Sequence, residues 1–346
     1  MLILKNSVHP FIDENFFYYT GLCQGIFEDT YALFYPDGHC DILVSQLEAE
    51  SAGQACATLH VYTSKEELMK VLHNQLSSKK TVGLNFNGLV LKDYLHLQTM
   101  FPQHMLLDVS KELLQQRQRK DVTEIELIKK ACAISDSVMK KIPEFLTEEM
   151  KEYELAAEIN HLMQKKGADK PAFDTISSFG PHTAQPHYSH GNTTLHKGSF
   201  VLCDFGACYH KYNSDITRTF FYGKADEKHY QMYETVKEAQ CIGFDLMYDG
   251  AKGSDVHKAV QTHIDKSPFK GHFIHSTGHS LGMAVHDGLR ISAENETLLQ
   301  ENMIFTVEPG IYLPNIGGVR IEDDILIKKE GIELLTHAPK EFIEIR

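Results

Sequence analysis

Pro186–Asp215 reads PHYSHGNTTLHKGSFVLCDFGACYHKYNSD, and Ile216-Thr217-Arg218-Thr219-Phe220 follows. The stretch holds two aspartates, Asp204 and Asp215. The first closes an apolar run, Phe200-Val201-Leu202-Cys203, just before Phe205-Gly206. That pattern predicts a short buried strand carrying a carboxylate where it meets a turn. The second follows Asn213-Ser214 and opens a Thr/Phe/Tyr-rich strand over 216–222. One carboxylate on each arm of a hairpin aims both groups at one spot. Two carboxylates that close do not both ionise cheaply unless a cation or a shared proton lies between them. The stretch therefore asks for a cation and for whatever else holds it.

Composition narrows the classes. The chain has 346 residues, 42% hydrophobic, and a formal charge of -13, enough for one large or two medium domains with a substantial core. The acidic balance and the lack of a basic, aromatic-rich patch argue against a nucleic-acid partner. No apolar run approaches membrane-spanning length. The opening MLILKNSVHPFIDENFF lacks the apolar core and cleavage site of a signal peptide, so a cytoplasmic location is expected. Seven scattered cysteines (Cys23, Cys40, Cys56, Cys132, Cys203, Cys208 and Cys241) form no CxxC pair. They suit a reducing compartment and packing roles. Twenty histidines mean that a histidine counts by its spacing, not its presence.

Residues 1–117 read as a small α/β unit: strands at 31–35, 41–44 and 81–84, with helices over Lys65–Leu76 and 88–96. The polar run Gln115–Asp121 marks a boundary. Beyond it, Thr123 and Glu126 offer a capping box for a helix burying Ile125, Ile128, Cys132, Ser135, Met139 and Ile142. A second helix turns Leu155, Ile159, Leu162 and Met163 inward and ends at Gly167. Strands are expected at 173–179, 200–206, 216–222, 273–275, 303–307 and 318–327. Helices are expected over 226–247 and from Ser254, an apt N-cap. The arrangement is α+β with largely antiparallel strands.

Three later segments carry further ligand-type side chains beside Gly or Pro. They are HSTGHSLGMAVH (275–286), VEPGIY (307–312) and GGVRIED (317–323). With the first stretch they offer Asp204, Asp215, His279, Glu308 and Glu322. Four carboxylates and one imidazole suit two divalent first-row ions sharing bridging carboxylates. Such a pair, about 3.5 Å apart, polarises a substrate oxygen and generates hydroxide near neutral pH. An isolated acid on a strand is more often a solvated charge, so the chemistry alone leaves this set open.

Taken in order, His187 through Asp204, NSDITRTF, HSTGHSLGMAVH, VEPGIY and GGVRIED resemble the pita-bread metallopeptidases. Within them they resemble the Xaa-Pro group, prolidase and aminopeptidase P. Asn15–Leu22, NFFYYTGL, resembles the creatinase-type N-terminal domain of that family more weakly. The resemblance implies an α+β pita-bread catalytic domain over 118–346, preceded by a smaller α/β creatinase-like domain over 1–117. It implies that Asp204 chelates one metal, that Asp215 and Glu322 bridge both, and that His279 and Glu308 bind the second. It also implies that Glu308 moves the catalytic proton while a hydroxide between the metals attacks the scissile carbonyl. His187, His275 and His286 match its three non-ligand histidines, which hold the carbonyl, the oxyanion or the substrate termini. Arg320 matches an arginine that braces the site. The ions would be Mn, Co, Zn or Fe, with Mn favoured. The substrates would be small proline-containing peptides, and the assembly a homodimer.

The segment also departs from the family. Ser189-His190-Gly191 stand where Pro-Thr often follows the PH pair, and Asp287-Gly288-Leu289 replace Glu-x-Pro after His286. Both changes fall on the substrate side. His182, His190, His196 and His210 match no role, and Tyr188 reads as a pocket wall. Prolidase, acting on dipeptides, is the leading reading. Aminopeptidase P, acting on longer peptides, and a catalytically silent binding protein on the same fold are the alternatives.

Overall fold

The computed structural model describes residues 1–346. It divides into two units, Met1–Gln116 and Arg117–Arg346. In the first, a mixed six-stranded sheet runs in the order Thr58–Tyr62, Cys40–Ser45, Tyr31–Phe34, Leu2–Lys5, Thr81–Leu84, Met105–Asp108. Ile3, Leu33, Leu43 and Val82 on the sheet meet Leu68, Leu72, Leu76, Leu97 and Phe101 in one core. The Lys65–Leu76 helix begins where expected because Ser64 caps it, its side chain accepting from Glu67 N at 3.2 Å.

The second unit carries the ligand-type residues. Its central sheet is four-stranded, in the order Glu344–Ile345, Ile216–Tyr222, Ser199–Phe205, Ile176–Phe179. Asp204 lies opposite Thr217 in the antiparallel pair. The alternation of the Ser199–Phe205 strand sends Val201, Cys203 and Phe205 into an apolar core with Ile134, Val138, Leu155 and Ile159. Asp204 thus points away from that core, as the period of two requires. A second sheet joins Ile304–Val307, Asp323–Ile327 and Ile332–Leu334. A small three-stranded sheet joins Tyr212–Asn213, Ala207–Tyr209 and Lys170–Pro171, and two short pairs complete the set: Gly278–His279 with Arg290–Ile291, and Gly310–Leu313 with Gly317–Arg320. No helix is long and apolar enough to cross a membrane.

Several expected elements differ: the helix expected over 88–96 spans Leu91–Met100, and Ile142 lies beyond the long helix, in Ile142–Phe145. The long helix spans Val122–Met139 and is boxed by Asp121 and Glu124, not by Thr123 and Glu126. Asp121 accepts from Glu124 N and Glu124 accepts from Asp121 N, both at 2.8 Å, so the reciprocal bonds form two residues earlier. Ser254 lies inside its helix, Gly253–Asp265, and its hydroxyl donates to Glu296 at 3.0 Å. Residues 273–275 are not a strand; the ladder begins at Gly278. The run 318–327 is two strands, broken at Ile321-Glu322. There the chain leaves the hairpin and bridges to Thr217, with Glu322 N donating to Thr217 O at 3.1 Å.

Candidate metal centre

The Asp204–Asp215 hairpin closes tightly because residue 206 has no side chain. A Cβ on Gly206 would lie 1.7 Å from Ser214 O. The same device brings His279 in: a Cβ on Gly278 would lie 1.9 Å from Thr306 O, so glycine lets this strand meet the one leading to Glu308. The break at Ile321 then delivers Glu322. As a result Asp215, His279 and Glu322 offer ligand atoms that all lie within 4.8 Å of one another. Glu308 joins them, its Oε1 3.6 Å from His279 Nε2, which is also 3.6 Å from Asp215 Oδ2. Asp204 completes the set through Arg320, whose Nη2 donates to Asp204 Oδ2.

Two observations show that these groups suit divalent cations. Asp204 Oδ1 and Asp215 Oδ1 are buried without a hydrogen-bond partner, and buried carboxylate oxygens are seldom left so. His279 is in the tautomer a metal needs. Its Nδ1 faces the carbonyl of Ser280 at 3.3 Å, so Nδ1 carries the proton and Nε2 turns a lone pair toward Asp215 and Glu308. Burial, with His286 alongside, holds the His279 imidazole down at about 3, keeping it neutral.

The carboxylates respond as a crowded anionic cluster would without cations. Burial, reinforced by Asp204, lifts Glu308 to about 8 despite the opposing Arg320. Burial raises Asp215 well above the ordinary range, and Glu322, Asp204 and Asp324 push the same way. Glu322 is raised by burial and by Glu308 and Asp204. Such a cluster stores repulsion that protons or cations relieve.

Side chains behind the ligands fix their directions. Thr217 Oγ1 donates to Glu322 Oε2 at 2.5 Å and accepts from Arg320 Nε at 3.1 Å. Arg320 Nη1 donates to Tyr312 OH at 2.8 Å. Tyr312 OH lies 2.8 Å from His275 Nε2, while His275 Nδ1 faces Ser276 O at 2.8 Å. A carbonyl only accepts, so His275 is protonated at Nδ1 and accepts a hydrogen bond from the Tyr312 hydroxyl at Nε2. Both ring nitrogens are therefore engaged, and burial with nearby Arg320 holds the ring neutral, down at about 3. In this geometry His275 orients Tyr312, and its ring also lines the cleft.

A cleft of about 820 Å3 opens above the cluster, with His187, His286, Arg290 and Phe173 on its walls and all five ligand-type residues lining it. His286 packs edge-on against His279, ring centroids 4.3 Å apart. Tyr188 does not line the cleft. Its hydroxyl turns inward to Glu152 at 2.8 Å, so the pocket-wall expectation fails. Asp287 is buried and paired with Arg117 and Lys120, which anchors the turn after His286. Sequence reading passed over Tyr312, Thr217, Arg290 and Asp324. Tyr312 was legible in principle, since in the Gly310–Arg320 hairpin it shares a face with Arg320. Asp324, whose Oδ2 accepts from Asp215 N at 2.8 Å, gave no signal, because one of two adjacent acids reads as solvated.

Comparison with known proteins shows the family. The model of metallopeptidase family M24 matches residues 126–329, and that of the Creatinase/Prolidase N-terminal domain matches 1–119. An Xaa-Pro dipeptidase of Pyrococcus furiosus is 42% identical over 236 residues, 68% of this chain and 67% of that protein. Among solved structures, the prolidase of Pyrococcus horikoshii superposes with TM-score 0.91 at 34% identity, covering 99% of this chain and 95% of that one. The X-Pro aminopeptidase of Thermotoga maritima gives TM-score 0.93 at 28% identity, covering 99% and 97%.

Proposed function

The chain belongs to metallopeptidase family M24, with the Creatinase/Prolidase N-terminal domain before it, and from that premise we propose that it is an Xaa-Pro dipeptidase. The observation that carries the reading is the set of Asp204, Asp215, His279 and Glu322, all buried, with the half-buried Glu308 and two unpartnered carboxylate oxygens, at the floor of a cleft large enough for a dipeptide. These five side chains would hold two divalent ions, and the oxygen-rich donor set would favour a hard ion such as Mn. When bound, the ions supply Lewis acidity and lower the pKa of water at the site.

The chain's own residues do the rest. Glu308, ionised once cations offset the surrounding carboxylates, accepts a proton from the attacking water and passes it to the departing prolyl nitrogen. That nitrogen carries no hydrogen in the imide, so its protonation is what lets the bond break. His187, on the cleft wall, holds the bound peptide in substrate and transition state alike, and His286 beside it donates to the carbonyl oxygen as charge develops there. Arg320 holds Asp204, and His275 with Tyr312 holds Arg320. Arg290 lines the cleft with no ion-pair partner and meets the free carboxylate of the product-side proline, which only a dipeptide presents there.

A substrate panel tests this. After metal removal and reloading with Mn, Co, Zn or Fe, Xaa-Pro dipeptides are expected to be cleaved at least about tenfold better in kcat/KM than Xaa-Pro-Yaa tripeptides. A tripeptide preference would favour aminopeptidase P, the activity named for the Thermotoga maritima neighbour. No hydrolysis with any of the four metals would overturn the reading.

A further inference from the structure

Glu152 opens the Glu152–Lys165 helix and has a side chain with no exposed surface. Its carboxylate takes four donors, two on each oxygen. Oε1 accepts from Phe179 N at 3.0 Å and His182 Nδ1 at 3.0 Å. Oε2 accepts from Tyr188 OH at 2.8 Å and Gly191 N at 3.0 Å. All four donors belong to one segment, residues 179–191, and the cleft-lining Pro186 and His187 lie inside it. The ring of His182 stacks on that of Tyr188 with centroids 4.6 Å apart, so the two side chains that reach Glu152 also brace each other. The front of the segment is pinned separately: Thr183 Oγ1 accepts from Gly318 N at 2.6 Å, two residues before Arg320.

His187 itself is exposed at the cleft and is held by the turn on either side of it. We propose that Glu152 is the positioning residue of the substrate wall, setting His187 in the cleft by gathering the segment onto one buried carboxylate. The proposal rests on the peptidase reading given above. It also accounts for the tyrosine after His187 and the glycine at 191. Tyr188 supplies one donor and Gly191 another, and a Cβ at residue 191 would stand 3.3 Å from the Tyr188 hydroxyl. A carboxylate is needed because two acceptor oxygens must serve four donors. An amide would turn its own N–H groups against two of them, leaving buried donors unpaired.

The test is Glu152→Gln in the metal-loaded protein. Because His187 contacts substrate and transition state alike, KM is expected to rise about tenfold with kcat within about twofold and metal content unchanged. Adding His187→Ala to Glu152→Gln should cost no more than His187→Ala alone, since the two act through one group. Tyr188→Phe, which removes one donor of four and keeps the ring, should shift KM the same way by less; it carries the test if Glu152→Gln does not fold. Additive effects, or a fall in kcat together with lost metal, would overturn the proposal.

Amide exchange provides an arm independent of activity. Exchange across 180–191 should quicken in Glu152→Gln while Ser199–Phe205 stays protected. If the wild-type protein cleaves no Xaa-Pro peptide, the functional reading fails, and the exchange result still decides the role of Glu152. Unchanged exchange across 180–191 would overturn it.

Discussion

Removing the metals should invert the usual pH dependence of stability. Glu308 is lifted from an ordinary 4.5 to about 8 in the folded, metal-free cluster. Between these values the folded protein holds a proton that the unfolded chain has released, so stability falls as pH rises through the interval. Below about 4.5 both states are protonated and the group contributes no difference; above about 8 the full penalty applies. At about 1.4 kcal/mol per pH unit, Glu308 alone accounts for as much as about 5 kcal/mol. Side-chain relaxation and water entry in an open cleft reduce this to about 2–5 kcal/mol. Asp215 and Glu322 are raised in the same direction and add to it. For a catalytic unit of this size, about 2–4 °C accompanies each kcal/mol, so a thermal melt of chelator-treated protein should drop by roughly 5–15 °C between pH 5 and pH 8.5. With metal restored, cations replace the protons and the drop should vanish. Glu308→Gln should remove about one proton's share of the slope. A metal-free melting temperature that is flat or rises across this range would refute the view that these carboxylates are mutually repelling and cation-seeking.

Other consequences follow from single contacts. Glu308→Gln keeps the shape but not the proton acceptor, and should lower kcat by about 10²–10⁴-fold, read by steady-state kinetics. His190→Ala, whose ring bonds only Thr175 O at 3.0 Å, should change kcat/KM by less than about threefold. Arg290→Ala should raise KM for dipeptides by about tenfold or more and leave tripeptides nearly unchanged, a split visible in the same substrate panel. Tyr312→Phe frees His275 Nε2 and one Arg320 donor and should weaken metal affinity about 10–100-fold, measured by competition with a chelator.

The sequence carried some of this and hid the rest for physical reasons. The strand bearing Asp204 and the one that begins just after Asp215 were legible because each is a short, continuously buried run beside a turn. His279 was not: its strand is two residues long, held by a close glycine approach that no period records, and only family resemblance singled it out. Glu322 sits at a break in a run whose composition reads as one strand, and the break exists because Thr217 pairs across to it. The helix cap was misplaced at Thr123 because Asp121, like Thr123, stands three residues before a glutamate. Glu152 carries no local signal in the first turn of its helix, and His182 and Tyr188 read as a bystander and a wall. Their shared carboxylate is a contact across some thirty residues of chain, which local pattern does not encode.

The central claim is that Asp204, Asp215, His279, Glu308 and Glu322 together hold two ions. Anomalous diffraction from crystals equilibrated with manganese tests it most directly. Two peaks about 3.5 Å apart, bounded by these five side chains, are the expected result. Peaks elsewhere, or no manganese among these residues at saturating concentration, would contradict it.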